Sequence, residues 1–287
     1  MNGSSNTRQY YSVRTAKNPA DAQLTFELLK TMFQSVYSQL SGKDYFHEAF
    51  GFYCVDAEDV PGTVGSDVAN YVLFRTRKQL WPIPDHIDEL GESDLFDLIE
   101  FLFDHVSKPL EGSFHSHMGC GMHWETFDKE AGRTEYCSML NPLLASYGPG
   151  FELNNRGEIM QTGPRELGNL LRADPPSEDG TVRSRIRAAV DCFQRYGSSI
   201  EDRRHAVRDL ADVLEKLRPR AKTVLRSKDE DDLFNLANNF GIRHLNDRQK
   251  SDYDPAVWLS WMFYHYLATI FAVLHLLERK PKGERKP

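Results

Sequence analysis

Apolar residues recur every three or four positions over several stretches of this chain, the spacing that gathers them on one face of an α-helix. The first stretch runs from Asn18, a residue type that caps helices, to Gly42, where the helix is expected to stop. Two more follow over residues 66–81 and 92–107, and Ser93 is the expected cap of the second. The pattern therefore predicts an amino-terminal domain that is mainly helical.

The pattern changes between residues 151 and 160, where short alternating runs flank an Asn-Asn-Arg-Gly turn. Alternation on both sides of such a turn predicts a small β-hairpin. Farther along, two prolines among polar residues make 174–180 the best candidate for a linker. We therefore expect an amino-terminal domain at 1–173, this linker, and a carboxy-terminal domain at 181–287.

Beyond the linker the helical spacing returns and continues almost to the end of the chain. Ser199 and Asp202 stand in a capping-box arrangement at the start of one of these helices. The segments predicted to be helical cover residues 181–197, 199–219, 228–240 and 254–280. The carboxy-terminal domain is therefore predicted to be helical throughout, and the predicted fold class is mainly α.

The last predicted helix is the most apolar segment, since residues 256–277 contain no Asp, Glu, Lys or Arg. Its length would allow it to span a membrane, which takes about 20 mainly apolar residues. The segment also contains polar side chains such as Ser260 and His265, and a helix that is apolar on most sides is equally typical of the centre of a bundle. We favour a core helix or a homodimer interface over a membrane anchor.

Composition agrees with a folded protein of the cytoplasm. Hydrophobic residues make up 40% and charged residues 27% of the 287 residues, values typical of globular domains. The amino terminus is polar and has no apolar segment of a secretory signal. The cysteines form no C-x-x-C pair, which favours free thiols in a reducing compartment; they are Cys54, Cys120, Cys137 and Cys192.

The net charge of −7 argues against general nucleic-acid binding by the whole chain. Residues 181–226, however, carry twelve Lys or Arg against six Asp or Glu, a local charge of +6. A phosphate-bearing partner such as RNA requires a basic face of this kind. The alternative is that these arginines form an ordinary solvated surface with ion pairs between successive helical turns. The candidate RNA-binding residues are Arg183, Arg187, Arg204 and Arg208.

The segment "HSHMGCGMH" concentrates four side chains of types that bind metals: His115, His117, Cys120 and His123. Zinc accepts three or four such ligands, and the two glycines would let the backbone turn the side chains inward. The spacing is not a common one for structural zinc, and a loop that binds no metal is the alternative. We therefore expect no cofactor other than zinc, and zinc only at this loop.

A second candidate site lies where a predicted helix ends, in "LFNLANNFGIRHLNDRQ". Arg243 offers a planar fork of donors for a phosphate, and His244 can act as acid or base near neutral pH. Asn239 and Asn246 could orient either group. The alternative is structural, because adjacent residues on extended backbone point to opposite sides.

Three segments of the carboxy-terminal part, "RSRIRAAVDCFQ", "DRRHAVRDLADVLEKLRP" and "LFNLANNFGIRHLNDRQKSDYDPAVWLSWMFYHYLATIFAVLHLL", resemble the helical carboxy-terminal domain of bacterial abortive-infection (Abi-type) proteins, which is related to HEPN bundles. Upstream, "DLFDLIEFLFDHVSKP", "HSHMGCGMHWETFDKEAGRTEY" and "FELNNRGEI" are similar to segments of such proteins. The resemblance implies an HEPN-like bundle of four or five helices that often dimerises and, in active members, metal-independent ribonuclease activity.

Active HEPN domains carry an Arg, four to six residues, and then a His, and this motif is absent here. Arg243 and His244 are adjacent instead. Two hypotheses therefore stay open. The first is a phage-defence protein that binds or cleaves RNA, and the second is a non-catalytic, dimeric sensor or scaffold. ATPase, dinucleotide-binding and serine-hydrolase motifs are absent from the sequence.

Overall fold

A computed structural model describes residues 10–15, 23–163, 167–225 and 254–279. The chain forms two compact units, Met1–Ile159 and Met160–Pro287. Among the described residues the helices far outnumber the strands, and the strands form only two-stranded sheets. The predicted fold class, mainly α with a small hairpin, is therefore confirmed.

The first unit contains seven α-helices among its described residues. They are α1 (Tyr11–Arg14), α2 (Phe26–Ser41), α3 (His47–Phe50), α4 (Val68–Thr76), α5 (Ile83–His86), α6 (Glu92–His105) and α7 (Lys129–Ala145). Two single 3-10 turns, Ile87–Glu89 and His117–Gly119, interrupt the connections. Long helices therefore carry most of the packing, and the short ones lie in the connections between them.

The described residues also form three antiparallel hairpins, the last of which ends at the start of the second unit. Their strands are β1 (Phe52–Cys54), β2 (Glu58–Val60), β3 (Lys108–His115), β4 (Gly121–Asp128), β5 (Phe151–Leu153) and β6 (Ile159–Gln161). The third hairpin confirms the one predicted at 151–160. The other two were not predicted, and the expectation of a loop around "HSHMGCGMH" is corrected: these residues lie in the long β3–β4 hairpin.

The core of the first unit is built on α2, α6 and α7. Leu29, Phe33 and Leu40 form a fully buried stripe on α2, as their spacing requires. Helix α6 is buried over much of its surface, because its apolar residues are nearly continuous. Tyr136 of α7 is completely buried and donates its hydroxyl hydrogen to the carbonyl oxygen of Ile99 at 3.0 Å, so its polar atom is satisfied.

Two helix starts differ from their predicted positions. Helix α2 begins after Thr25, whose hydroxyl accepts a hydrogen bond from the backbone N–H of Leu28, while Asn18 lies outside the described residues. Helix α6 begins after Gly91, and Asp94 accepts the backbone N–H of that glycine in place of a cap by Ser93. Several polar residues near each start can act as caps, so the sequence pattern alone does not identify the first residue of either helix.

The second unit contains α8 (Gly168–Arg172), α9 (Gly180–Gln194), α10 (Ile200–Ala221) and α11 (Pro255–Arg279) among its described residues. Apolar faces of the last three share one core, where the rings of Phe193 and Phe263 stack at 3.8 Å. The capping box at Ser199 and Asp202 is confirmed. Residues 228–240, predicted to form another helix, lie outside the described part.

The predicted linker at 174–180 lies within the second unit, and Asp179 caps α9 with its carboxylate. Helix α11 is the one described helix that is long and apolar enough to cross a membrane, over Val257–Arg279 with a mean hydropathy of 1.5. Half of an 18-residue apolar window within this segment is buried inside the protein. Leu259, Met262 and Phe263 are fully buried in the shared core, as expected for a core helix.

Candidate metal centre

The β3–β4 hairpin brings together three residues with metal-binding side chains. His115 ends β3, and His123 lies on β4 opposite Ser113. Side chains two positions apart on a strand, and those directly opposite on the partner strand, share one face of the hairpin. His115 and His123 are therefore neighbours on that face, and Cys120 lies in the connection between the strands.

Glycines allow the backbone shape of this hairpin at two places. Gly121, directly after Cys120, has a φ of 101°, a conformation that residues with a side chain rarely adopt. At Gly112 the strands approach so closely that an added Cβ would lie 2.3 Å from the carbonyl oxygen of His123. Both glycines therefore help to position the neighbouring cysteine and histidine.

The fourth metal-binding side chain comes from the short β1–β2 hairpin. Cys54 ends β1, is paired with Glu58 of β2, and is only 3% exposed. It is separated from His115 by 61 positions along the chain. The packing of the two hairpins thus completes a group that no local spacing reveals.

The four ligand atoms form a compact cluster. The Sγ atom of Cys54 lies 3.8 Å from Nδ1 of His115, and Sγ of Cys120 lies 3.2 Å from Nε2 of His123. All four ligand atoms lie within 4.8 Å of one another. Zinc–ligand bonds of about 2.0–2.3 Å in a tetrahedron hold ligand atoms roughly 3.3–3.8 Å apart, so zinc would require only a small contraction of the group.

The chemistry of the donor set also fits zinc. Two thiols and two imidazoles are a common ligand set of structural zinc, and soft sulfur ligands disfavour magnesium and calcium. Within the part of the chain that the structure describes, this is the one group of three or more such residues close enough to share an ion. We therefore treat these four residues as a candidate metal centre.

Asp56, in the turn between β1 and β2, contacts two members of the cluster. Its carboxylate oxygen Oδ2 lies 3.1 Å from Nε2 of His115, and its backbone N–H donates to Sγ of Cys54 at 3.4 Å. The carboxylate is 63% exposed, while the His115 side chain is 27% exposed. The cluster thus lies at the surface on this side and has a charged neighbour there.

The ring of Phe52 packs against two histidine rings, one of which belongs to the cluster. The ring of Phe52 lies 4.8 Å from that of His123 and 5.3 Å from that of His47. Burial lowers the pKa of His47, although Asp44 at 3.2 Å acts in the other direction. His47 is therefore held toward its neutral form, and it adds little positive charge beside a site that would bind a cation.

Three of the four predicted metal ligands belong to the cluster, and one does not. His115, Cys120 and His123 are brought together, whereas His117 is exposed on the 3-10 turn with its ring 6.2 Å from that of His115. Cys54 takes the fourth position. Cys54 was expected to be a free thiol because it belongs to no C-x-x-C pair, and the sequence around it gives no signal of metal binding.

The predicted RNA-binding arginines lie on α9 and α10. Arg187 forms an ion pair with Asp174, and Arg204 pairs with Glu201 within its own helix. Arg183 and Arg208 have exposed side chains. The ion pairs of Arg187 and Arg204 agree with the alternative that these two arginines form ordinary surface contacts.

The second predicted site lies outside the described residues. Its residues, Arg243, His244, Asn239 and Asn246, fall between the described residues 225 and 254. Searches with protein-family models, among curated proteins and among solved structures find no match to this chain. The candidate metal centre is thus the site for which the structure gives the most specific geometry.

Proposed function

We propose that the first unit binds one zinc ion through Cys54, His115, Cys120 and His123. The observation that carries this proposal is the approach of two sulfur and two nitrogen atoms to within 4.8 Å of one another from two separate hairpins. Four protein ligands fill the tetrahedral coordination of zinc and leave no position for substrate. The ion therefore serves to join the β1–β2 and β3–β4 hairpins.

Metal analysis of the protein purified without a metal-affinity tag tests this. We expect about one equivalent of zinc. Co²⁺ exchanged into the site should give the absorption bands of a tetrahedral ion with thiolate ligands, a readout that requires no variant. Absence of bound metal, or cobalt spectra of an octahedral oxygen-ligated ion, would contradict the proposal.

Cysteine variants provide the matched comparison. Cys54→Ser and Cys120→Ser should each lose most of the zinc. Cys137→Ser makes the same chemical change in α7, outside the cluster, and should retain it. Burial raises the pKa of Cys137 to about 11, so this thiol stays protonated and is a poor metal ligand. Equal zinc loss in all three variants would indicate a general effect of cysteine substitution.

RNA binding or cleavage in antiviral defence is the second function that we propose, for the carboxy-terminal helices. The local charge of +6 over residues 181–226 favours it, and the resemblance to abortive-infection proteins gives the reaction. In this mechanism His244 is the general acid or base and Arg243 holds the phosphate. We further propose a cytoplasmic homodimer, and a non-catalytic sensor or scaffold is the alternative.

The assay mixes the zinc-loaded protein with total RNA in buffer without added divalent ions. Cleavage by the wild type that is lost in His244→Ala supports the nuclease, and His275→Ala is the control because His275 is an exposed histidine of α11. RNA affinity should also fall steeply with salt. Absence of both cleavage and binding would leave the scaffold alternative.

A further inference from the structure

Each histidine of the metal centre presents one particular ring nitrogen to the cluster. In His123 that atom is Nε2, at 3.2 Å from Sγ of Cys120. In His115 it is Nδ1, at 3.8 Å from Sγ of Cys54, while its Nε2 lies 3.1 Å from Oδ2 of the Asp56 carboxylate. Because Nε2 already has Asp56 as its partner, the geometry favours Nδ1 as the His115 atom that binds a metal ion among the four residues.

A neutral imidazole carries its hydrogen on only one of its two nitrogens. If Nδ1 of His115 binds the metal, the hydrogen is on Nε2, where it points at Oδ2 of Asp56. A carboxylate in this position fixes the ring orientation and makes the other nitrogen a stronger metal ligand. The backbone of the same residue also donates to the Cys54 sulfur, and such a hydrogen bond stabilises a thiolate.

We propose that Asp56 is a positioning residue of the zinc site, acting on Cys54 through its backbone N–H and on His115 through its carboxylate. This inference rests on the proposed zinc binding and adds a fifth residue to the site. Asp56 lies two positions after Cys54 in the β1–β2 turn, so one turn supplies a ligand, a hydrogen bond to that ligand and the orientation of a ligand from another hairpin.

Substitution of Asp56 separates the two contacts, because only the carboxylate is altered and the backbone N–H remains. Mutation of a residue that hydrogen-bonds a metal ligand typically lowers the metal affinity by about 10–100-fold. The carboxylate here is 63% exposed, and water competes for the same hydrogen bond, so we expect a loss of about tenfold for Asp56→Ala. Asp56→Asn keeps an acceptor without the charge and should lie between Asp56→Ala and the wild type.

The experiment measures zinc affinity of the full chain by competition with a chromophoric chelator. Asp59→Asn is the control, since it removes an equal charge from an exposed position on the same hairpin. In parallel, ¹⁵N NMR of the histidine rings reports which nitrogen binds zinc and how fast the Nε2 hydrogen exchanges with water. We expect Nδ1 of His115 to bind and its Nε2 hydrogen to exchange faster in Asp56→Ala.

The outcomes separate the two proposals. Absence of zinc from the wild type would overturn both the proposed zinc binding and the role of Asp56. Zinc in the wild type with equal affinities of Asp56→Ala and Asp59→Asn, or with His115 bound through Nε2, would overturn only the role of Asp56. A selective loss of affinity together with faster exchange of the His115 hydrogen would support it.

Discussion

His105, at the end of α6, is a histidine that the fold holds in its neutral form. Its Nδ1 lies 2.6 Å from the carbonyl oxygen of Phe101 and must carry the hydrogen, so Nε2 accepts from the hydroxyl of Tyr71 at 3.1 Å. The ring stacks on those of Phe50 and Phe101. Burial lowers its pKa, and the hydrogen bond to Phe101 and the nearby Asp104 only partly oppose this.

This lowered pKa predicts a loss of stability in acid. Unfolded chains titrate histidine near pH 6.5, and between that value and the lower folded pKa the unfolded state binds more protons. The unfolding free energy of the first unit should therefore fall as the pH drops below about 6.5, and His105→Gln should make that dependence shallower. NMR titration of the His105 ring in the folded protein checks whether its pKa is lowered. A midpoint at or above pH 6.5 would contradict this explanation.

Individual ligands differ in how far the sequence reveals them. His115, Cys120 and His123 lie within nine residues, so their density indicated a metal site without any structure. Cys54 could not be found in this way, because its approach depends on how two hairpins pack. His117 has the same local signal as its neighbours and still lies outside the cluster, since the direction of a side chain in a turn depends on the backbone conformation there.

The capping box of α10 shows a local signal that the sequence predicts well. The hydroxyl of Ser199 accepts the backbone N–H of Asp202 at 3.1 Å, and the Asp202 carboxylate accepts the backbone N–H of Ser199 at 2.9 Å. Ser199→Ala removes one partner of this pair and should destabilise the second unit by about 1 kcal/mol. Ser184→Ala, an exposed serine within α9, should change stability by less than about 0.5 kcal/mol.

Urea unfolding measures this difference. A Trp81→Phe/Trp124→Phe background leaves Trp258 and Trp261 of α11 as the fluorescent residues, so the signal reports on the second unit alone. If Ser199→Ala lowers the free energy of unfolding no more than Ser184→Ala does, the capping box contributes little to the stability of the start of α10.

Helices and strands of this chain were predictable to different degrees. The long helices follow apolar residues at helical spacing, which depends only on nearby sequence. The β3–β4 hairpin lacks the alternation that predicts strands, because most residues of β3 are exposed, most residues of β4 are half-buried, and both strands contain a glycine. The two strands are defined by their pairing with each other, which includes a bulge near Glu111 and is not visible in the sequence pattern.

The two compact units have separate hydrophobic cores, and this division determines which unit a bound zinc ion can stabilise. The core of the first unit involves residues from α2 to β6, and that of the second joins α8, α9, α10 and α11. All four proposed zinc ligands belong to the first unit. The ion should therefore stabilise one unit and leave the intrinsic stability of the other unchanged.

Removal of zinc by a chelator tests this for the full chain. An ion present at 1,000 times its dissociation constant stabilises the folded state by about 4 kcal/mol. A loss of that size lowers the melting temperature of a unit this long by roughly 10 °C. We expect such a shift for the first unit only, since no ligand of the proposed site lies in the second.

Fluorescence distinguishes the units during melting. In a Trp258→Phe/Trp261→Phe variant the signal comes from Trp81 and Trp124, and the indole N–H of Trp124, next to His123 on β4, donates to Asp44 at 2.8 Å. The chelator should shift this transition, and it should leave the transition reported by Trp258 and Trp261 in the converse variant unchanged. Equal shifts of both transitions would mean that the ion stabilises the whole chain, and the metal centre would then have to act beyond the two hairpins that it joins.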